Sequence, residues 1–222
     1  MKANQTLIGA DGKHEVALFP MPYLYMTQDE GVGTHYNTYN MDFVGYNGKN
    51  VISKAPVYAP CTIKLMNYMP SYNGGHGEIW QSVDKVYLAS GHIDYLTILF
   101  MHCDNPPYTK LGTVIKQGQL CYRSGNFGYS TGDHLHSCCG RGTYQGLVQR
   151  AGGNWDLANR VHYWNGVYVN DTNIVIGYSH NWKRYSGGSP APDPTPTPSG
   201  GTKKRDKFPW AIAWRHWPNF KR

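Results

Sequence analysis

The chain has 222 residues, 40% of them hydrophobic, and a formal net charge of +7, enough material for one good core, or one core and a small appendage. No apolar run approaches the ~20 residues a membrane-spanning helix needs, and the opening Met-Lys-Ala-Asn-Gln-Thr lacks the apolar stretch of a secretory signal. Seven of the 21 basic residues but only one of the 14 acidic ones lie in 203–222; the rest, 14 against 13, is nearly neutral, so its charge makes no case for a nucleic-acid partner.

In chain order, short apolar runs separated by turn signals, together with 18 tyrosines and 26 glycines, predict a mainly β, antiparallel domain. The expected strands are 41–44, 62–66, 79–88, 95–102, 119–122, 134–138 and 167–170, with a further apolar run at 174–178. Pro56 and Pro60 bracket Val57-Tyr58-Ala59, which suits a sheet edge or a turn into a strand. Residues 155–161 read as a short helix. Prolines at 190, 192, 194, 196 and 198 forbid helix and favour an extended spacer. The expected layout is a domain over 1–186, a linker over 187–202 and a basic aromatic tail over 203–222. In the tail, Trp210, Trp214 and Trp217 fall on one helical face between Pro209 and Pro218. That face suits docking on a membrane or cell-wall surface, or on a virion, with a solvated terminus as the alternative.

Five cysteines, an odd number with two adjacent, make a poor disulfide framework and read as buried free thiols of a protein made in a reducing cytosol. Cys138 shares a strand face with His136, which makes it a rival metal ligand, although no C-x-x-C pair completes a structural site.

The chemistry concentrates in three segments. In Gly132-Asp133-His134-Leu135-His136 a strand's two-residue period turns both imidazoles to one face, after an approach carrying glycines at 125, 128 and 132. Residues 33–43 bring His35 and Asp42 towards a strand, and the apolar run from Leu96 ends in His102. Two histidines and a carboxylate supply three ligands to Zn²⁺ and leave a fourth position for water. Two more histidines then serve acid–base work. His14, His76, His92, His162 and His180 stand without a partner motif.

These pieces resemble the lysostaphin-type zinc metallopeptidases, β-sheet endopeptidases that cut peptide bonds in bacterial peptidoglycan. The matches are His35…Asp42-Phe43, Val57-Tyr58-Ala59-Pro60 as V-x-A-P, His102 closing an apolar strand, and Gly128-Tyr129-Ser130-Thr131-Gly132-Asp133-His134-Leu135-His136 as G-x-S-T-G-x-H-x-H. They stand in family order. The resemblance implies an antiparallel sheet or barrel-sandwich peptidase fold, zinc held by His35, Asp42 and His136, and His102 and His134 as the catalytic pair. Tyr129 and Tyr36 are candidates to flank the groove. Two departures stand out. Six residues separate His35 from Asp42 where the family has three, so 36–41 must form a loop, and His14 is the substitute for His35. After His136 comes Ser137-Cys138-Cys139-Gly140 rather than an apolar strand. The implied activity is a zinc-dependent endopeptidase. The expected setting is a phage endolysin or virion-associated lysin, made in the host cytoplasm and acting at the cell wall. The alternative is a catalytically silent relative or a tail-tip structural protein that binds wall or neighbouring subunits.

Overall fold

The computed structural model describes residues 1–69, 76–105, 109–176 and 179–188. Its backbone is mainly β. The central strand Leu96–Met101 is buried on both faces, which is why it reads as a continuous apolar run rather than an alternating one. Around it a nine-stranded sheet is ordered Val114–Ile115, Ile63–Tyr68, Gly77–Ser82, Leu96–Met101, Leu135–Arg141, Met41–Phe43, Tyr23–Gln28 and Asn173–Ile176, with Arg160–Val161 also on Leu135–Arg141. The pairings are antiparallel except the last, where Asn173–Ile176 runs parallel to Tyr23–Gln28.

Alternation along the strands sorts side chains into two layers. One face carries Phe43, Trp80, Ile98 and Phe100, packed with Phe19, Tyr122 and Tyr163 in the larger core. Phe19 meets Phe43 edge-on, with centroids 5.0 Å apart and an interplanar angle of 77°, the geometry that brings the positive edge of one ring to the negative face of the other. Val57 and Cys121, from the paired strands Pro56–Tyr58 and Leu120–Arg123, close this core from beyond the sheet. The opposite face holds Ile79, Leu99, Met101 and Cys138 in a smaller cluster with Met69 and Leu157. That second layer floors the cleft described below.

The sequence expectations fare unevenly. The segments 41–44, 62–66, 95–102, 119–122 and 134–138 become strands with ends shifted by a few residues. Residues 79–88 form two strands, Gly77–Ser82 and Val86–Tyr87, because 83–85 turn. Residues 167–170 hold only a bridge from Tyr168 to Leu18, while Tyr23–Gln28, whose Leu24 and Met26 point inward, was not anticipated. The helix expected at 155–161 is absent. Trp155–Leu157 pairs with Leu147–Gln149 and Arg160–Val161 pairs with Cys139 and Gly140; available sheet partners override a weak local preference for helix. A four-residue helix follows instead, at Tyr163–Gly166. Beyond Gly188 the linker and tail lie outside the described residues, as do 177 and 178 of the last apolar run. Among the described residues no helix is long and apolar enough to cross a membrane.

Candidate active site

Sheet register brings the first two donors together. His136 lies directly opposite Asp42 on one side and Met101 on the other. Its Nδ1 stands 3.0 Å from Asp42 Oδ1. His134, two residues earlier and therefore on the same face, places Nε2 3.4 Å from the same oxygen. His102 follows Met101 at the end of its strand, and its ring centroid lies 4.6 Å from that of His134 and 5.4 Å from that of His136.

The fourth imidazole arrives from a loop. His35 ends a 3₁₀ turn, Gly33–His35, is 2% exposed, and sets Nε2 3.2 Å from Asp42 Oδ1. The six intervening residues double back. Thr38 N and Oγ1 both donate to His35 O at 2.9 Å, and Asn37 takes a left-handed φ of +59°, which asparagine tolerates better than most residues. Asp156, fully buried, accepts from Tyr39 N at 3.0 Å and from Arg160 Nη1 at 2.7 Å. The Arg160 guanidinium lies 4.1 Å over the Tyr39 ring, and Asn40 Nδ2 donates to Trp155 O. The long spacing is thus absorbed by an excursion held from outside, and both side chains return to one point.

His14, the alternative to His35, is elsewhere and pairs with Asp11 at 2.5 Å. Cys138 is likewise no ligand: it is fully buried in the smaller core, and burial pushes its thiol well up. All five cysteines are free and buried.

Backbone carbonyls set the remaining imidazoles. His102 Nδ1 donates to Phe127 O at 2.7 Å and His134 Nδ1 to Gly132 O at 2.8 Å. These bonds fix the tautomers and leave the chemistry of each ring to Nε2. His102 adopts φ +81°, a conformation that costs a non-glycine residue of order 1–3 kcal/mol and persists only when its surroundings impose it. They do: His102 N donates to His76 O, and His102 O accepts from Phe127 N. Gly125 packs against this turn so closely that a Cβ there would sit 2.2 Å from His102 O. Gly128 supplies a φ of +83°, whereas a Cβ on Gly132 would meet open space.

The electrostatics follow from crowding. Burial alone would raise the Asp42 carboxyl, but hydrogen bonds from His134, His136 and His35 overcome it and hold the group far below the usual carboxylate range. Burial, then the facing His136, pushes His102 down to about 3. Burial also lowers His136 despite Asp42. For His134 burial is outweighed by Asp42, and its value rises.

Two sets of donors lie within 4.8 Å of one another, His35/Asp42/His136 and His102/His134/His136. They share His136, so one ion on the first set leaves His102 and His134 beside it. Tetrahedral zinc with bonds of about 2.0–2.1 Å separates its ligands by about 3.3 Å, and the Asp42 distances of 3.0 and 3.2 Å to His136 and His35 fit that spacing. All five side chains line one cleft of about 800 Å³, walled by Phe127, Tyr129, Met69, Asn154 and Trp155. Tyr129 is 86% exposed at its edge, while Tyr36 is exposed but outside the lining. The Phe127 and Gly132 carbonyls leave no mark in the sequence, because backbone atoms carry no residue signature. Partners also emerge for histidines that had none: Glu30 for His162, Asp29 for His180 and the Cys103 carbonyl for His76.

No protein-family model matches the chain. Over 173 residues it is 33% identical to Morphogenesis protein 1 of Bacillus phage B103, a match covering 76% of this chain and 44% of that protein. The chain therefore spans less than half the length of that relative. Among solved structures it is similar to the antimicrobial peptidase lysostaphin from Staphylococcus simulans, with 22% identity and a TM-score of 0.39 over 56% of this chain and 45% of that one. It is also similar to the catalytic domain of the prophage-encoded M23 protein EnpA from Enterococcus faecalis, with 21% identity and a TM-score of 0.36 over 54% and 82%. A zinc-containing peptidase from Vibrio cholerae gives 17% and 0.35 over 56% and 37%.

Proposed function

We propose that this chain is a lysostaphin-type zinc endopeptidase that hydrolyses peptide cross-links of bacterial peptidoglycan. The observation that carries the reading is the convergence of His35, Asp42 and His136 on one point, with His102 and His134 beside it in an open cleft. His35 Nε2, the Asp42 carboxylate and His136 Nδ1 would hold Zn²⁺. The bound ion supplies a Lewis acid and lowers the pKa of a coordinated water from 15.7 towards ~7.

The protein's own groups then do the rest. His102 and His134, each with Nδ1 committed to a carbonyl, turn to Nε2 as the atom that takes a proton from the attacking water and returns one to the leaving amine. The imidazole not engaged in that transfer, once protonated so that Nε2 also carries a hydrogen, donates it to the developing oxyanion. The open cleft admits a segment of cross-linked polymer, and Tyr129 and Trp155 offer flat apolar surface to its backbone. The phage relative is named for morphogenesis, which favours a lysin carried on a virion and acting at the cell wall over one released only at lysis. Binding to wall or virion without cleavage is the competing reading.

Purified protein should clear bacterial cell walls, stop on treatment with a chelator and resume with added zinc. Mass spectrometry of the fragments should reveal new amino termini within the cross-links. Tight wall binding with no new termini at any metal loading would replace the peptidase with the silent binder.

A further inference from the structure

One cluster plays no part in the chemistry above, yet surrounds one of its residues. His35 Nδ1 donates to the Asp29 carbonyl at 3.0 Å, which commits that nitrogen and aims Nε2 at Asp42. Asp29 is itself held. Its carboxylate oxygens both lie 2.9 Å from His180 Nε2, across 151 residues of sequence. The neighbouring Glu30 carboxylate meets His162 Nδ1 at 2.5 Å. The two imidazoles are fixed by a run of stacked rings. His180 lies on Trp164 at 3.7 Å and 10°, Trp164 on His162 at 4.7 Å and 11°, and His162 on Tyr39 at 4.4 Å and 17°. One end of the stack holds the residues before His35 and the other, through Tyr39, holds those after it.

We propose that His180 is a positioning residue for the metal centre: through Asp29 it fixes the carbonyl that orients His35. The proposal rests on the reading of His35 as a zinc ligand. Of the three ligands in that reading, Asp42 and His136 are set by strand pairing, and only His35 depends on a loop. A ligating imidazole whose second nitrogen loses its partner typically costs 10–100-fold in metal affinity. The segment carrying His180 lies beyond the last strand, 44 positions after His136, so it completes the centre from outside the family-like motifs.

The test is the zinc dissociation constant of the full chain, measured by competition with a chromophoric chelator. His180→Ala should weaken zinc about 10-fold, and His180→Gln, which restores an N–H donor towards Asp29, should recover most of the loss. Asp29→Ala combined with His180→Ala should cost no more than either alone, since both break one link. A purely architectural role would lower the thermal midpoint of the metal-free protein and leave the affinity of the folded protein alone. Should His180→Ala fail to fold, Asp29→Asn keeps the shape, removes the charge that receives the imidazole, and reads the same constant. Unchanged zinc affinity in the folded variants, with affinity lost in His35→Ala, overturns this proposal and spares the metal site. Unchanged affinity in His35→Ala removes the metal site itself.

Discussion

The candidate site has two halves built by different means. Asp42 and His136 are placed by the pairing of Met41–Phe43 with Leu135–Arg141, where one residue of slip would turn every side chain to the other face, and His134, just before that strand, is held by its bridge to Gly125. His35 is placed by an excursion from the sheet, tied down by Thr38, Asp156, Arg160 and Asp29. The first half needs only backbone bonds that the fold makes anyway. The second needs side chains whose sole visible work is to hold a loop. Disturbance should therefore be all-or-nothing in the sheet half and graded in the loop half.

The largest effect should come from the sheet half. Asp42→Ala removes the oxygen on which three imidazoles converge, so zinc affinity should fall by more than the 10–100-fold that an outer partner costs, and wall hydrolysis with it. Wild-type zinc content and activity in this variant would break the comparison at once. His134→Ala should bind zinc yet lose about 10²–10⁴-fold in kcat, the range of a general acid or base; measuring metal content beside turnover separates the two roles.

In the loop half, Asp156→Ala strips a fully buried carboxylate from Arg160 and from Tyr39 N. Its denaturant midpoint should report a loss of about 3 kcal/mol, with zinc affinity reduced but measurable. A total loss of binding would mean the loop is as indispensable as the register. Gly125→Ala tests the turn at His102: the added Cβ forces a shift costing about 1–3 kcal/mol, and kcat should drop while zinc stays bound.

The smallest effect sharpens the contrast away from the cleft. Glu78 is fully buried on the sheet's other face, and burial lifts its carboxyl to about 8, outweighing hydrogen bonds from Trp80 and Thr109. Because the folded value lies above the ordinary 4.5, stability is fully present below pH 4.5 and declines as pH rises towards 8, where the unfolded chain ionises and the folded one resists. Glu78→Gln should flatten that decline and gain stability at pH 8, with no gain at pH 4. Unfolding followed across that pH range decides it.

What could be read in advance divides along the same line. The His134/His136 pair, Asp42 and the strand ending at His102 were legible because a two-residue period and a chain of motifs leave marks in sequence. The 155–161 segment misled because Trp155 and Leu157 carry no local sign that Leu147–Gln149 waits to pair with them. The supports of His35 were invisible for another reason: the links from Asp156 to Tyr39 N and from His180 to Asp29 span 117 and 151 positions, and no spacing rule connects them. Glycines 125, 128 and 132 looked equivalent, yet only the first two are required by contact or backbone angle.

The five thiols carry a practical corollary. Each is shielded inside the protein, and desolvation keeps every one of them protonated far above neutral pH, so the reactive thiolate is scarce and out of reach. A passage from reducing to oxidising surroundings, or exposure to an alkylating reagent, should leave the native molecule chemically unaltered, with reactive sulfur revealed only when it unfolds.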